Sequence, residues 1–270
     1  CIYRLDLASP LGYGVKNARI VNTIVHPYYF KTTATNLDSA IFNRITVLSD
    51  NKFYVSRTGE RYSPTQPGGP DDAVLLFDQD DRFETPVTVS DNRGAQFPDY
   101  FKKPFAISSL VKPPQISADN RGDFIFSSLD PNGVLKVQQI VKQESVDGVA
   151  YTPKTDWSND RSQADNFINE PFKFEDPVGI EFTGDGTNYI FVVDRVKDSL
   201  FQFTANGLEG VQPPPASGET KYVRTSFGGT GIGPLQFNQP MGVAYTNRVI
   251  YVADAGNGRV LRFILTLNIR

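Results

Sequence analysis

The feature that most constrains this chain is a pattern that recurs along it. Near the C-terminus, Phe237-Asn-Gln-Pro240-Met-Gly242-Val243 leads into Val249-Ile-Tyr-Val-Ala-Asp254 and then Asn257-Gly-Arg259-Val-Leu-Arg-Phe263. A second copy runs Phe174-Glu-Asp-Pro177-Val-Gly179-Ile180, Tyr189-Ile-Phe-Val-Val-Asp194 and Ser199-Leu-Phe-Gln-Phe203. A weaker third copy spans Pro114–Asp119, Asp123–Phe126 and Val134–Val137, and a fourth spans Arg44–Val47, Lys52–Val55 and Ala73–Phe77. These two have lost the Pro-x-Gly or the Asp.

Short apolar strands separated by Gly, Asn and Asp turns, repeated with almost no helical periodicity, predict an all-β array of sheets stacked around an axis, a β-propeller. A small sheet standing alone is marginal in water, but stacking buries both of its faces. That explains why strands such as Ile250-Tyr-Val-Ala253 read as continuous apolar runs rather than an alternation. The anchors Arg44, Pro114, Pro177 and Pro240 lie 70, 63 and 63 residues apart, longer than the roughly 40–45 residues of a typical blade. Four blades are therefore visible and five or six are permitted, with Pro104-Phe-Ala-Ile-Ser able to open a hidden one. A short helix is expected at Asn36–Asn43, capped by Asn36. Because an unclosed ring exposes sheet edges, an N-terminal strand is expected to complete the last blade, either Ile2–Leu7 or, favoured for its apolar Ile20, Val21, Ile24 and Val25, Ala18–Val25.

The residues Phe237-x-x-Pro240-x-Gly242-Val243, Ile250-Tyr-Val-Ala-Asp254 and Asn257-x-Arg259-Val260-x-x-Phe263 resemble an NHL repeat. The copy at 174–203 is similar, and Lys221–Phe237 resembles the outer strand and Gly-rich connector that precede such a repeat. The resemblance implies a propeller of four-stranded blades, six in the usual case. It also implies a range of roles. Related amidating lyases use zinc-binding histidines in the channel, which a chain with one His cannot supply. Related lactonases hold calcium with channel-facing carboxylates and amides.

Of 270 residues, 27 are Lys or Arg and 30 are Asp or Glu, a net charge of −3. No basic excess is available to neutralise phosphates, so nucleic acid is not expected as a partner. The one cysteine stands at position 1, like the acylated first residue of a mature bacterial lipoprotein. Residues 1–16 are accordingly expected to form a lipid-anchored (palmitate-bearing) segment, and 17–270 a single propeller domain. Ile2 after Cys1 points to the outer membrane, with its face undecided. No apolar run approaches the roughly 20 residues of a membrane span. No cofactor beyond the lipid is expected.

Long loops are the natural place for binding. Ser145–Asp176 sets Tyr151, Trp157, Phe167, Phe172 and Phe174 among polar residues, which suits a partner surface, although folding back onto the propeller is the simpler use. Asp78-Gln-Asp80-Asp81 gathers carboxylates that are considered for calcium, without the glycine and distal Glu of a dedicated loop. Gly229-x-Gly231-x-Gly233 lacks the following helix that a phosphate loop needs, since Pro234 and Pro240 intervene. His26 has no second imidazole beside it. Asp194 and Asp254 recur at one repeat position, which marks them as turn acceptors rather than catalytic groups. The leading expectation is a non-catalytic accessory subunit of an integral outer-membrane protein, contacting it through Tyr3, Leu5, Tyr151, Trp157 and Phe167. A carbohydrate- or other ligand-binding lipoprotein is the second, and a calcium-dependent hydrolase the third.

Overall fold

The computed structural model describes residues 1–9, 12–13, 18–24, 41–59, 72–113, 115, 121–146 and 148–265. It is an all-β propeller of four blades. The first blade is β5 (Ile41–Val47), β6 (Phe53–Thr58), β7 (Ala73–Phe77) and β8 (Phe83–Pro86), paired in that order. The second is β9 (Pro104–Ser109), β10 (Phe124–Ser128), β11 (Val137–Ser145) and β12 (Gly148–Pro153). The third is β13 (Pro177–Phe182), β14 (Tyr189–Asp194), β15 (Ser199–Thr204) and the two-residue β16 (Phe227–Gly228). The fourth has three strands, β17 (Pro240–Thr246), β18 (Val249–Asp254) and β19 (Arg259–Ile264). Ahead of the first blade in sequence come β1 (Ile2–Asp6), β2 (Ala8–Ser9), β3 (Gly12–Tyr13) and β4 (Arg19–Ile24).

Three expectations are corrected. The strand preceding Phe124–Ser128 in the second blade is Pro104–Ser109, so the segment thought to open a hidden blade is the inner strand of a visible one. The stretch Pro114–Asp119 lies outside the described residues except for residue 115. Of the helix expected at Asn36–Asn43, residues 36–40 lie outside the described set and Ile41–Asn43 are strand. The N-terminal strand does not complete the fourth blade: β4 pairs antiparallel with β1, Ile2 opposite Ile24, and leans on the first blade instead. The reason is polar as well as apolar. Arg4 reaches Asp81 at 2.8 Å and Asn22 donates to the same carboxylate at 2.7 Å, while Ile24 packs beside Phe53, Val55 and Phe77. His26 lies outside the described residues.

Stacking of neighbouring blades makes the core. Tyr54, Val74 and Leu76 of the first blade meet Ile107, Phe124, Phe126 and Tyr151 of the second. Ala106, Ile125 and Val137 then meet Ile180, Ile190, Val192 and Phe203 of the third. Val178, Phe191, Val193 and Leu200 meet Phe237, Ile250 and Val252 of the fourth. With both faces covered, β7 and β10 are buried at every position, which is the physical origin of their unbroken apolar reading. Hydroxyls tie the inner strands across these seams, Ser109 Nα–H to Thr46 Oγ1 at 2.8 Å and Phe182 N–H to Ser108 Oγ at 3.0 Å.

The repeated aspartates act at the corners of the third and fourth blades. Asp194, fully buried, accepts from the backbone N–H of Glu175 at 2.7 Å and of Val196 and Lys197 at 3.1 Å. Asp254, equally buried, accepts from Asn238 N–H at 2.7 Å, Asn257 Nδ2 at 2.8 Å and Arg259 Nε at 2.7 Å. Arg259 in turn spends its other nitrogens on the carbonyls of Ile232, Gly233 and Gln236. Burial alone pushes the Asp254 carboxyl up, yet the Asn238, Asn257 and Arg259 donors outweigh it and hold its pKa below the usual range. Folding therefore favours the carboxylate. This stabilisation is fully present above the unfolded value of about 3.9 and is lost as pH falls through the lower folded value. Asp254→Ala should cost about 2–4 kcal/mol by leaving buried donors unmet, read as a lowered urea midpoint at pH 7. In Asp254→Asn, loss of stability between pH 4 and 2, approximate bounds set by that ordinary value, should be shallower than in the parent.

Candidate interaction surfaces

The two glycines of the Pro-x-Gly motif occupy the same register, each just past a bulge that follows the proline. They do not have the same surroundings. A Cβ on Gly179 would fall 2.9 Å from Gly242 Cα and 3.0 Å from Val243 N, because β17 passes directly against β13. The glycine is there to let two inner strands approach. Among the described residues, a Cβ on Gly242 would meet nothing within 4 Å. The fourth blade thus carries the feature that admits another inner strand, with open space where that strand would run.

The rest of that sheet agrees. The face toward the third blade is buried, with Val252 at 0% and Ile250 at 4% exposure. The opposite face is bare: Ala244 and Ala253 are exposed, and Val260 and Ile264 are each 66% exposed. Arg262 lies between the last two on β19 and makes no ion pair among the described residues. The first blade has a related but smaller opening. Its outer side is partly covered by Ile2 and Ile24, leaving Ile45 46% and Val47 42% exposed.

The N-terminal hairpin places its residues on two sides. Arg4 and Ile2 face the first blade, whereas Tyr3, Leu5, Leu7 and Ile20 remain largely exposed. Exposure of Ile20 and Val21 runs against their expected burial in a closing strand. Cys1 is exposed at the start of this hairpin.

The aromatic stretch folds back on the propeller. Tyr151 is a β12 residue whose hydroxyl shares a 3.0 Å hydrogen bond with that of Tyr54 inside the first interblade seam. Phe167 is 1% exposed, in a satellite cluster with Ala164 and Leu208. Burial removes both from the partner surface expected of them. Trp157 is half-buried beside Ile168 and Gly207, with Lys154 Nζ 5.3 Å from its ring. Phe172 stays 69% exposed. Of the expected contact residues, Tyr3 and Leu5 remain on the surface and lie far in sequence and element from Trp157.

Arg44 links inner strands of three blades. It stands on β5 in the register that Gly179 holds on β13, just past the bulge. Its guanidinium donates to Asn43 O at 2.9 Å and Met241 O at 3.1 Å and lies 4.7 Å from the Phe105 ring centre. It thus joins the inner strands of the first, second and fourth blades, and burial lowers its pKa. Arg195 reaches the same methionine, 3.5 Å from Sδ, while pairing with Asp176. The Asp78 cluster is engaged as well: Asp78 caps its own turn through the N–H groups of Asp80 and Arg82, and Asp81 holds the hairpin. Among the described residues no three His, Cys, Asp or Glu side chains gather as a metal-binding group. The glycines at 229–233 present carbonyls to Arg259 and Asn257.

The NHL repeat family model matches residues 237–263. No curated protein sequence matches the chain. Among solved structures, a nidogen/laminin complex is 12% identical, with 97% of this chain and 85% of that chain covered, at a TM-score of 0.39. A luciferin-regenerating enzyme is 9% identical over 84% of this chain and 56% of that one, at 0.44. An auxiliary nutrient binding protein from Bacteroides thetaiotaomicron is 12% identical over 79% and 45%, at 0.42. The chain spans about half the length of the last two.

Gly179→Ala forces β13 and β17 apart and should destabilise by about 1–3 kcal/mol in urea unfolding. Gly242→Ala, in open space on an ordinary strand, should change stability by under about 1 kcal/mol in either direction.

Proposed function

We propose that this protein is a non-catalytic, lipid-anchored accessory module of the cell envelope. In this reading it docks through the far face of its fourth blade onto the sheet of an integral outer-membrane protein. Gly242 carries the reading. The equivalent Gly179 shows what such a glycine admits, the backbone of a neighbouring inner strand. The exposed Val260 and Ile264 offer the kind of apolar area that every interior seam uses. The occupant is therefore an apolar β-sheet face, with a carboxylate placed for Arg262. The lipid on Cys1 and the apolar outer side of the hairpin, Tyr3 and Leu5, place the same partner beside the membrane. The buried aspartates support a non-catalytic role, since Asp194 and Asp254 are spent on turn donors.

A photocrosslinker at position 264, and separately at 3, is expected to give one reproducible adduct with a membrane protein in intact cells. Gly242→Val and Ile264→Asp should abolish it while leaving the circular dichroism of the purified protein unchanged. Adducts only to a second copy of the chain, or a wild-type yield retained by both variants, overturn the reading. For the anchor, intact mass should exceed the sequence mass by acyl and glyceryl groups, and Cys1→Ala should move the protein to the soluble fraction.

A further inference from the structure

A cavity of about 430 Å³ opens at the outer margin of the third blade. It exists because β16 pairs with β15 only at Ser199–Gly228 and Leu200–Phe227 and then leaves. Beyond that point Ser226 Oγ replaces a strand partner, accepting from Gln202 N–H at 3.2 Å, and Thr225 Oγ1 donates to Gln202 Oε1 at 2.8 Å. Gln202 Nε2, buried beside them, has no hydrogen-bond partner among the described residues.

The wall carries a charge that is only partly spent. Arg224 gives Nε to Glu209 Oε1 at 3.0 Å, with its own side chain 64% exposed and that of Glu209 1% exposed. Glu209 is already paired with Lys173 at 2.7 Å, and Lys173 and Arg161 both reach Glu170. Three cations against two carboxylates leave one positive charge in excess. The terminal nitrogens of Arg224 make no hydrogen bond among the described residues, so its planar fork is free to meet a carboxylate. Ser226 Oγ, an acceptor from Gln202, keeps its proton to donate; Ser199 Oγ donates to Lys197 O and keeps its lone pairs. Phe201 and Phe227 supply apolar surface.

We propose that this cavity binds a small hydroxylated organic acid, with Arg224 clamping the carboxylate and Ser199 and Ser226 meeting hydroxyls. Its size exceeds what an inorganic anion fills, since a water takes up about 30 Å³, and lies at the small end of ligand pockets. The site lies off the far face of the fourth blade and does not depend on the docking reading.

Calorimetric titration of the full chain with D-glucuronate and with D-glucose, which differ at one carboxylate, tests it, with inorganic phosphate as a third titrant. Glucuronate is expected to bind at least about tenfold more tightly than glucose, one charge-assisted contact's worth. Arg224→Gln should erase that preference with the thermal midpoint unchanged. Arg224→Lys, which retains the charge without the fork, should fall between the two and decides the matter should the Gln variant fail to fold. No binding of glucuronate, equal binding of both sugars, full affinity in Arg224→Gln, or phosphate binding as tightly as glucuronate would each overturn the assignment, the last as an adventitious anion site.

Discussion

A blade of this protein is stable only when a neighbour covers it, and the rest of the architecture follows from that constraint. Each seam buries apolar side chains from two sheets, and the second and third blades are covered on both sides by other blades. The end blades meet the same demand differently. The first blade borrows the N-terminal hairpin, whose Ile2 and Ile24 lie where side chains of another blade would. The fourth blade has no such cover among the described residues, and Val260 and Ile264 stand in water. A surface of that kind on a folded protein marks an interaction site.

How much of this was legible follows from which residues carry backbone constraints. The third and fourth blades were readable because Pro177-x-Gly179 and Pro240-x-Gly242, with Asp194 and Asp254, are demanded by a bulge, a close approach and a buried corner. In the first blade the glycine's register is held by Arg44 and that of the aspartate by Arg57, which is itself 1% exposed. In the second, Ser128 stands opposite Pro104 where an aspartate stands opposite the other prolines. Those substitutions hide the repeat without changing the strand path, which is why Pro104–Ser109 read as an extra blade.

The surfaces were less legible than the fold, because a residue's type does not say which side of a sheet it faces. Tyr151 and Phe167 are aromatic in a polar stretch, yet the Tyr54 hydroxyl and the Ala164–Leu208 cluster draw them inside. Val260, Arg262 and Ile264 do alternate with Leu261 and Phe263, a half-buried signature visible in the sequence. It was masked by the expectation that an N-terminal strand would extend this blade. Gly242 bore no signal of its own, since an identical motif serves a filled gap at Gly179 and an open one here.

Arg44 ties inner strands of separate blades together. It donates to Met241 O and lies over the Phe105 ring, and Arg195 reaches Sδ of the same methionine. A long side chain in the register of a glycine thus acts as a strut between strands. Its cost in burial is offset by the carbonyls and ring it meets, because a guanidinium is weakly hydrated and stacks well. Two uncommitted surfaces among the described residues are peripheral: the bare sheet of the fourth blade and the outer gap beside Arg224. Both arise where a strand is short or missing, and the unfinished edges of the sheets thus define the places where this scaffold can receive something else.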